Sequence, residues 1–429
     1  MTAGALTDTI GRRRAFMAGL ALCGTSSALG AVAQAPGFVI AARCGMGAGA
    51  ALIMPPTLSI ISSLFTEPAL RRRAIALWAA ALGVGGMTGP VIGGALVEIF
   101  SWRAGFWVNV PLVVMTMVLT LLLVPPTASS RPAGRGEGRV DLRGAMLSAC
   151  GLLTLVWAAI ESPVRGWTSA PVLTGFALAA ILLSAFVMHE KRCGENAMLP
   201  LSLLRLPGVA RGAASLALLS FAMYGALFVI TLYLQGVLGY TPWQAGVRTL
   251  PLAAALAAGS LAAPRLLALL GERASIASGL ALVTVAFAAL AQTEATSAYR
   301  HLLLFEIIAG LGAGLVATAG TETVMGAVPL PRAGLGSAVN DATRQVGAAL
   351  GVAIQGSVLS TVVTDQLSAP ASPAAPIAAL PPSPAARQAF VDGLTATALT
   401  AGAVTLAAML AVILWRSMVP HVTSAREDL

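Results

Sequence analysis

Lysine is nearly absent from this chain: Lys191 is the only one, although Lys and Arg together number 26 in 429 residues. Charge of either sign is scarce. Charged residues make up 10%, against about a quarter in an ordinary soluble domain, which argues against a conventional water-soluble fold. Cysteine is limited to Cys23, Cys44, Cys150 and Cys193. They are too scattered for a CxxC motif or a disulfide framework and read as small apolar residues. The three histidines, His189, His301 and His421, lie far apart, so no metal site and no nucleophile triad is expected. No GxxxxGKS loop is present, so energy from ATP would have to come from another chain. No secretory signal peptide is expected from the start as given, which is polar, then triply basic, then continuously apolar.

What is abundant is hydrophobic residue, at 57%, with a mean hydropathy of +0.85. The composition predicts an all-α polytopic membrane protein. Twelve apolar spans are expected, at 15–33, 38–64, 74–98, 104–124, 143–161, 171–189, 210–235, 243–270, 274–292, 300–327, 334–363 and 391–415. The net charge of +9 sits in short connections between them, so membrane lipid and not nucleic acid is the expected partner. Arg12–Arg14, Arg71–Arg73, Arg131, Arg135, Arg139 and Arg143, then Lys191, Arg192, Arg205 and Arg211, and further on Arg265, Arg273, Arg332 and Arg416 mark every second connection. By the positive-inside rule these connections and both termini are cytoplasmic. The Pro/Ala-rich stretch 368–387 is then an external, extended loop.

An internal repeat runs through the chain. IGRRRAFMAGLAL, 10–22, aligns with LGERASIASGLAL, 270–282, at an offset of 260, and Arg43-xxx-Gly47-x-Gly49 aligns with Glu306-xxx-Gly310-x-Gly312 at an offset of 263. Duplicated halves are the expected origin. Two spans precede the Gly271 loop and none precedes the Gly11 loop, so two helices present in the second copy are expected to be missing at the start of the first.

Three stretches resemble the major facilitator superfamily, in particular its fourteen-helix drug–proton antiporter branch. Gly4-Ala5-Leu6-Thr7-Asp8-Thr9-Ile10-Gly11-Arg12-Arg13 is similar to the family's loop signature G-x-L-x-D-x-x-G-R-[RK]. Arg43-Cys44-Gly45-Met46-Gly47-Ala48-Gly49-Ala50 is similar to R-x-x-Q-G-x-G-A, with Met46 where Gln is usual. Gly85 to Gly94 matches G-x-x-x-G-P-x-x-G-G at every fixed position, and that pattern distinguishes exporters. Trp102-Arg103 with Phe106, Asn109-Val110-Pro111 and Asn340-x-x-x-Arg344-Gln345-Val346-Gly347 add to the likeness.

The resemblance implies two pseudo-symmetric helical halves with two inserted helices. The expected divisions are 1–125 for the first half, 126–205 for the inserted pair with its loops, and 206–429 for the second half. It implies a cytoplasmic latch at Gly4, Asp8, Gly11, Arg12 and Arg13. An exporter helix motif would lie at Gly85, Gly89, Pro90, Gly93 and Gly94, whose glycines let a second helix approach. Arg43 and Glu306 are the proton-coupling candidates, since a charge inside a span is costly and functional by default. The Arg43 guanidinium is expected to face the protein interior. Glu322, Asn340, Asp341 and Arg344 form a second-half polar cluster, in which Asp341 and Arg344 stand three apart and could pair. Glu98 and Trp243 read as residues of the membrane interface.

The implied function is a secondary active transporter, not an enzyme, in the cell membrane. It would export amphipathic organic solutes, cationic ones included, in exchange for protons, by alternating access. No cofactor is expected, the proton gradient being the energy source. A monomer is expected, with any envelope partner left open. The alternatives are a non-transporting truncated fragment or wrongly assigned start of such a transporter, and an uptake permease of the same superfamily.

Overall fold

Every regular element among the described residues is helical, as lipid demands when it offers backbone N–H and C=O groups no partner. The structure, a computed structural model, describes residues 11–64, 67, 70, 85–86, 88–124, 141–194, 201–295, 297–328, 333–367 and 383–414. The expected latch residues Gly4 and Asp8, the basic loop 131–139, the first part of span 74–98 and most of the 368–387 loop lie outside them.

In chain order the helices are α1 (Arg12–Ala31), α2 (Pro36–Leu64), α3 (Thr88–Ile99), α4 (Ala104–Leu123), α5 (Leu142–Arg165), α6 (Ala170–Cys193) and α7 (Pro207–Val237). The run Pro242–Leu290 follows. Gly271 interrupts it at φ 78°, ψ 169°, dividing it into α8 (242–270) and α9 (272–290). Then come α10 (Tyr299–Ala327), α11 (Ala333–Leu367) and α12 (Pro384–Leu414). Nine runs among the described residues are long and apolar enough to cross a bilayer. The α8–α9 run counts as one of these, and α1 and the short α3 are not among them. Local chemistry explains several helix starts. Pro207 opens α7, where its missing N–H costs nothing. Thr241 and Gln244 form a capping box at the start of α8.

The chain divides into two compact units. One comprises 1–150, 182–201 and 240–250, the other 151–181, 202–239 and 251–429. In the first, α1 packs along α2 and α4. In the second, α7 packs on α10, α11 and α12. The core of the second unit holds Leu216, Ile230, Ile276, Leu280, Leu359 and Leu394, all nearly inaccessible. Phe287 and Phe305 meet edge to face at 5.3 Å, and Tyr233 stacks on Phe390 at 6.3 Å. Outward-facing leucines have the opposite character. Leu122, Leu261 and Leu269 are 75%, 82% and 80% exposed, an apolar surface that suits lipid and not water.

The repeat read from the sequence recurs in the geometry of each unit. Gly11 and Gly271 both adopt positive φ, 89° and 78°, a region glycine enters without a steric penalty. In the first unit, a Cβ on Gly49 would come within 2.8 Å of the Gly19 carbonyl oxygen. In the second, a Cβ on Gly312 would come within 2.6 Å of the Gly279 carbonyl oxygen. Corresponding helices therefore touch through corresponding glycines. Gly312→Val is expected to cost about 1–3 kcal/mol, as overpacking of a tight contact does. Thermal unfolding of the detergent-solubilised protein checks this. The melting temperature should fall by several degrees, while Gly47→Ala, where a Cβ meets nothing within 4 Å among the described residues, should not lower it.

Candidate functional site

Glu306 lies seven residues into α10, about 10 Å along the axis from the first residue at 1.5 Å per residue. It is 1% exposed. The Tyr299 hydroxyl donates to its Oε2 at 3.2 Å. Its Oε1 is buried and has no hydrogen-bond partner among the described residues. An anionic carboxylate in this setting is expensive, and a proton on Oε1 or a cationic group beside it removes the charge. Arg43 is likewise seven residues into its helix, α2, which fits the repeat with the opposite charge. The neighbour that the structure gives its guanidinium is an aromatic ring. Arg43 is exposed, and its Cζ lies 4.7 Å from the centroid of the Phe106 ring on α4, within cation–π range.

The motif around Phe106 joins α4 to α1. Asn109 Nδ2 donates to Ser27 Oγ at 3.1 Å, and Ser27 Oγ donates to the Phe106 carbonyl at 2.8 Å. Arg103 Nη2 donates to the Ala33 carbonyl just beyond α1 at 3.0 Å and stacks over Trp102 at 4.6 Å. At the opposite end, Arg13 Nη2 donates to the Leu121 carbonyl in the last turn of α4 at 3.0 Å. Arginine there satisfies a carbonyl left over at the helix end and faces the negative pole of the helix dipole. Of the expected latch, Gly11 supplies the turn and Arg13 this contact. The side chain of Arg12 lies outside the described residues.

The exporter motif packs differently from the expectation. A Cβ on Gly85, Gly89 or Gly93 would meet nothing within 4 Å among the described residues. The close approach is made by Gly94 against the Pro242 carbonyl, and by Gly246 against the Pro90 carbonyl. Glu98 Oε2 accepts from the Trp243 backbone N–H at 2.9 Å, so Glu98 caps the start of α8. Sequence reading placed Glu98 at the interface from its position at a helix end; the capping contact, to a partner 145 residues away, was not foreseen.

In the second unit, Thr321 Oγ1 donates to Asn340 Oδ1 at 3.2 Å, and Asn340 Nδ2 reaches Asp341 Oδ1 at 3.5 Å. Among the described residues no ion pair joins Asp341 to Arg344. Glu322 and Asp341 are exposed. Sequence reasoning missed Gln355. It is 1% exposed, and its Nε2 donates to the Phe221 and Ala222 carbonyls of α7 at 2.9 and 3.3 Å. Its polar head inside an apolar span was the available signal. Close contacts of Gly347 with the Ala217 carbonyl and of Gly351 with the Phe221 carbonyl bring the two helices within its reach.

A further group was not foreseen. Asp141, at the start of α5, meets His189 and Cys193, one turn apart at the end of α6. His189 Nε2 is 2.8 Å from Asp141 Oδ1 and 3.5 Å from Cys193 Sγ. The Gly144 N–H also donates to Asp141 Oδ1, at 2.9 Å. Burial works to raise the Asp141 carboxyl. Hydrogen bonds with Gly144, His189 and Glu190 outweigh that and hold it below its usual value.

The sequence matches the family described as Major Facilitator Superfamily over residues 1–352. The Multidrug resistance protein Stp of Mycobacterium tuberculosis (strain CDC 1551 / Oshkosh) is 35% identical over 361 residues, covering 84% of this chain. The match spans only 66% of that relative's own length. The Multidrug efflux pump LfrA of Mycolicibacterium smegmatis is 30% identical over 426 residues, covering 94% of this chain and 83% of that protein. Among solved structures, a bacterial homolog of the human lysosomal transporter Spinster, inward-facing and unoccupied, aligns with a TM-score of 0.66 at 17% identity, covering 96% of this chain and 84% of that one. At that identity the likeness is one of fold. The chain belongs to the Major Facilitator Superfamily, a family of membrane transporters and not of enzymes.

Proposed function

We propose that this chain serves as a proton-driven exporter of amphipathic organic solutes, cationic ones among them, working by alternating access in the cell membrane with both termini cytoplasmic. The observation that carries the reading is Glu306, a buried carboxylate on a membrane-spanning helix with a tyrosine on one oxygen and, among the described residues, no partner on the other. Such a group is suited to take either a proton or a solute cation, and competition between the two is what an exchanger needs. The printed names of Stp and LfrA, a multidrug resistance protein and a multidrug efflux pump, support export as the direction. The proton gradient supplies the energy, and a monomer suffices.

Everted membrane vesicles test the proposal. An acid-inside gradient is expected to drive a lipophilic cationic dye into the lumen, and a protonophore should abolish that accumulation. Accumulation only under the opposite gradient would identify an uptake permease. No movement under either sign would show that the chain does not transport.

A further inference from the structure

We propose that Asp141, His189 and Cys193, with Glu190 beside them, form a binding site for a zinc-class divalent ion that joins the start of α5 to the end of α6. The site is independent of the transport reading.

The ligand atoms are of three kinds. They are the carboxylate oxygen of Asp141, the Nε2 of His189 and the Sγ of Cys193, all within 4.8 Å of one another. His189 and Cys193 are four apart on one helix, which puts both on the same face. In a tetrahedral zinc site with bonds of about 2.0–2.3 Å, ligand atoms lie about 3.3–3.8 Å apart. The His189–Cys193 separation of 3.5 Å already fits. The His189–Asp141 separation of 2.8 Å has to open by about half an ångström. The Cys193 side is half-buried, and Asp141 and His189 keep 12% and 23% of their side-chain surface. An ion can therefore reach them from solvent.

Glu190 is the second observation. It is 1% exposed, and its Oε1 approaches the same spot as Asp141 Oδ2. A Cβ on Gly144 would lie 2.7 Å from the first and 2.5 Å from the second. Glu190 thus brings a further carboxylate oxygen to a place where an imidazole and a thiol are already at hand. The mixture of N, S and O ligands selects zinc over magnesium or calcium, which prefer oxygen alone. Zinc here would clasp two helix ends that are 48 residues apart in the chain.

Cobalt serves as the optical probe. The full chain is purified without a polyhistidine tag, stripped with chelator and titrated with Co²⁺ in detergent. Tetrahedral visible bands and a thiolate-to-cobalt charge-transfer band are expected at one equivalent and should be bleached by Zn²⁺. Cys193→Ser, His189→Gln and Asp141→Asn should each weaken binding at least about tenfold, within the range for losing a ligand or its support. Cys23→Ser, Cys44→Ser and Cys150→Ser should not. Metal-free melting temperatures identify variants that remain folded. Zn²⁺ should also slow maleimide labelling of Cys193 when the other cysteines are replaced. A folded protein that shows no charge-transfer band would overturn the proposal, leaving a hydrogen-bonded cluster with a proton between Asp141 and Glu190. Retention of the band by Cys193→Ser would place the metal elsewhere and overturn it equally.

Discussion

Replacing Glu306 by Gln is expected to cut proton-driven efflux of a cationic solute about ten- to a hundredfold, with a smaller loss for a neutral solute. The substitution is close to isosteric, and its carbonyl oxygen can still accept from Tyr299. The amide NH₂ takes the place of Oε1, which has no donor to lose. Packing around Phe305 and Ala309, both fully buried, is undisturbed. What disappears is a group that can be an anion at one moment and neutral at the next. Interactions with a charged group are worth about 1.5–3 kcal/mol, which corresponds to that ten- to hundredfold range in affinity. A cationic solute loses its counter-charge and its competition with the proton together. A neutral solute has no counter-charge to lose. Efflux from expression-matched vesicles, measured with one cationic and one neutral substrate, gives the comparison. An equal fall for both, or none, would assign Glu306 a structural role.

Arg43→Ala and Arg43→Lys are expected to insert at normal levels yet lose proton-driven efflux, while solute binding survives better than transport. An arginine in mid-span costs about 2–3 kcal/mol to insert even on the mild scale, so its removal should not reduce expression. Packing does not account for it either, because Arg43 is exposed and rests on one aromatic ring. Its contact with Phe106 holds a planar, permanently charged group above α4. That stacking is worth about 0.5–2 kcal/mol, enough to orient the guanidinium and weak enough to be exchanged for a carboxylate. Lysine keeps the charge but loses the planar fork of donors, which is why it is not expected to rescue. Phe106→Leu should give an intermediate loss, since the cation stays but its platform goes. Equilibrium binding and vesicle efflux, measured on the same preparations, separate the two functions. Near-normal efflux by Arg43→Ala would restrict Arg43 to a structural role on the Phe106 face.

Hydropathy and charge spacing are properties read along the chain, and they determined a great deal. They place a helix at nearly every expected span, because an apolar run of about 20 residues has no other way to satisfy its backbone in lipid. The break at Gly271 was legible as well, since the stretch around it repeats the stretch around Gly11 and glycine alone enters positive φ freely. The same repeat set Arg43 opposite Glu306, and the structure puts both at the same depth in their helices. The family resemblance, read along the chain, also grouped Arg103, Phe106 and Asn109 in one motif.

Tertiary structure decided everything that depends on a distance between segments remote in sequence. Glu98 became a helix cap only because α3 reaches the start of α8. Gln355 became a clasp because glycines let α11 approach the carbonyls of α7. Arg43 found its platform, Phe106, only because α2 and α4 pack in one unit. His189 and Cys193 read as scattered residues and Asp141 was not singled out, and two helix ends brought the three together. The physical reason is common to all four. Periodicity specifies which face of a helix a residue occupies, but hydrogen bonds and metal ligation act over about 2–3.5 Å. Only packing against another helix determines what stands at that distance.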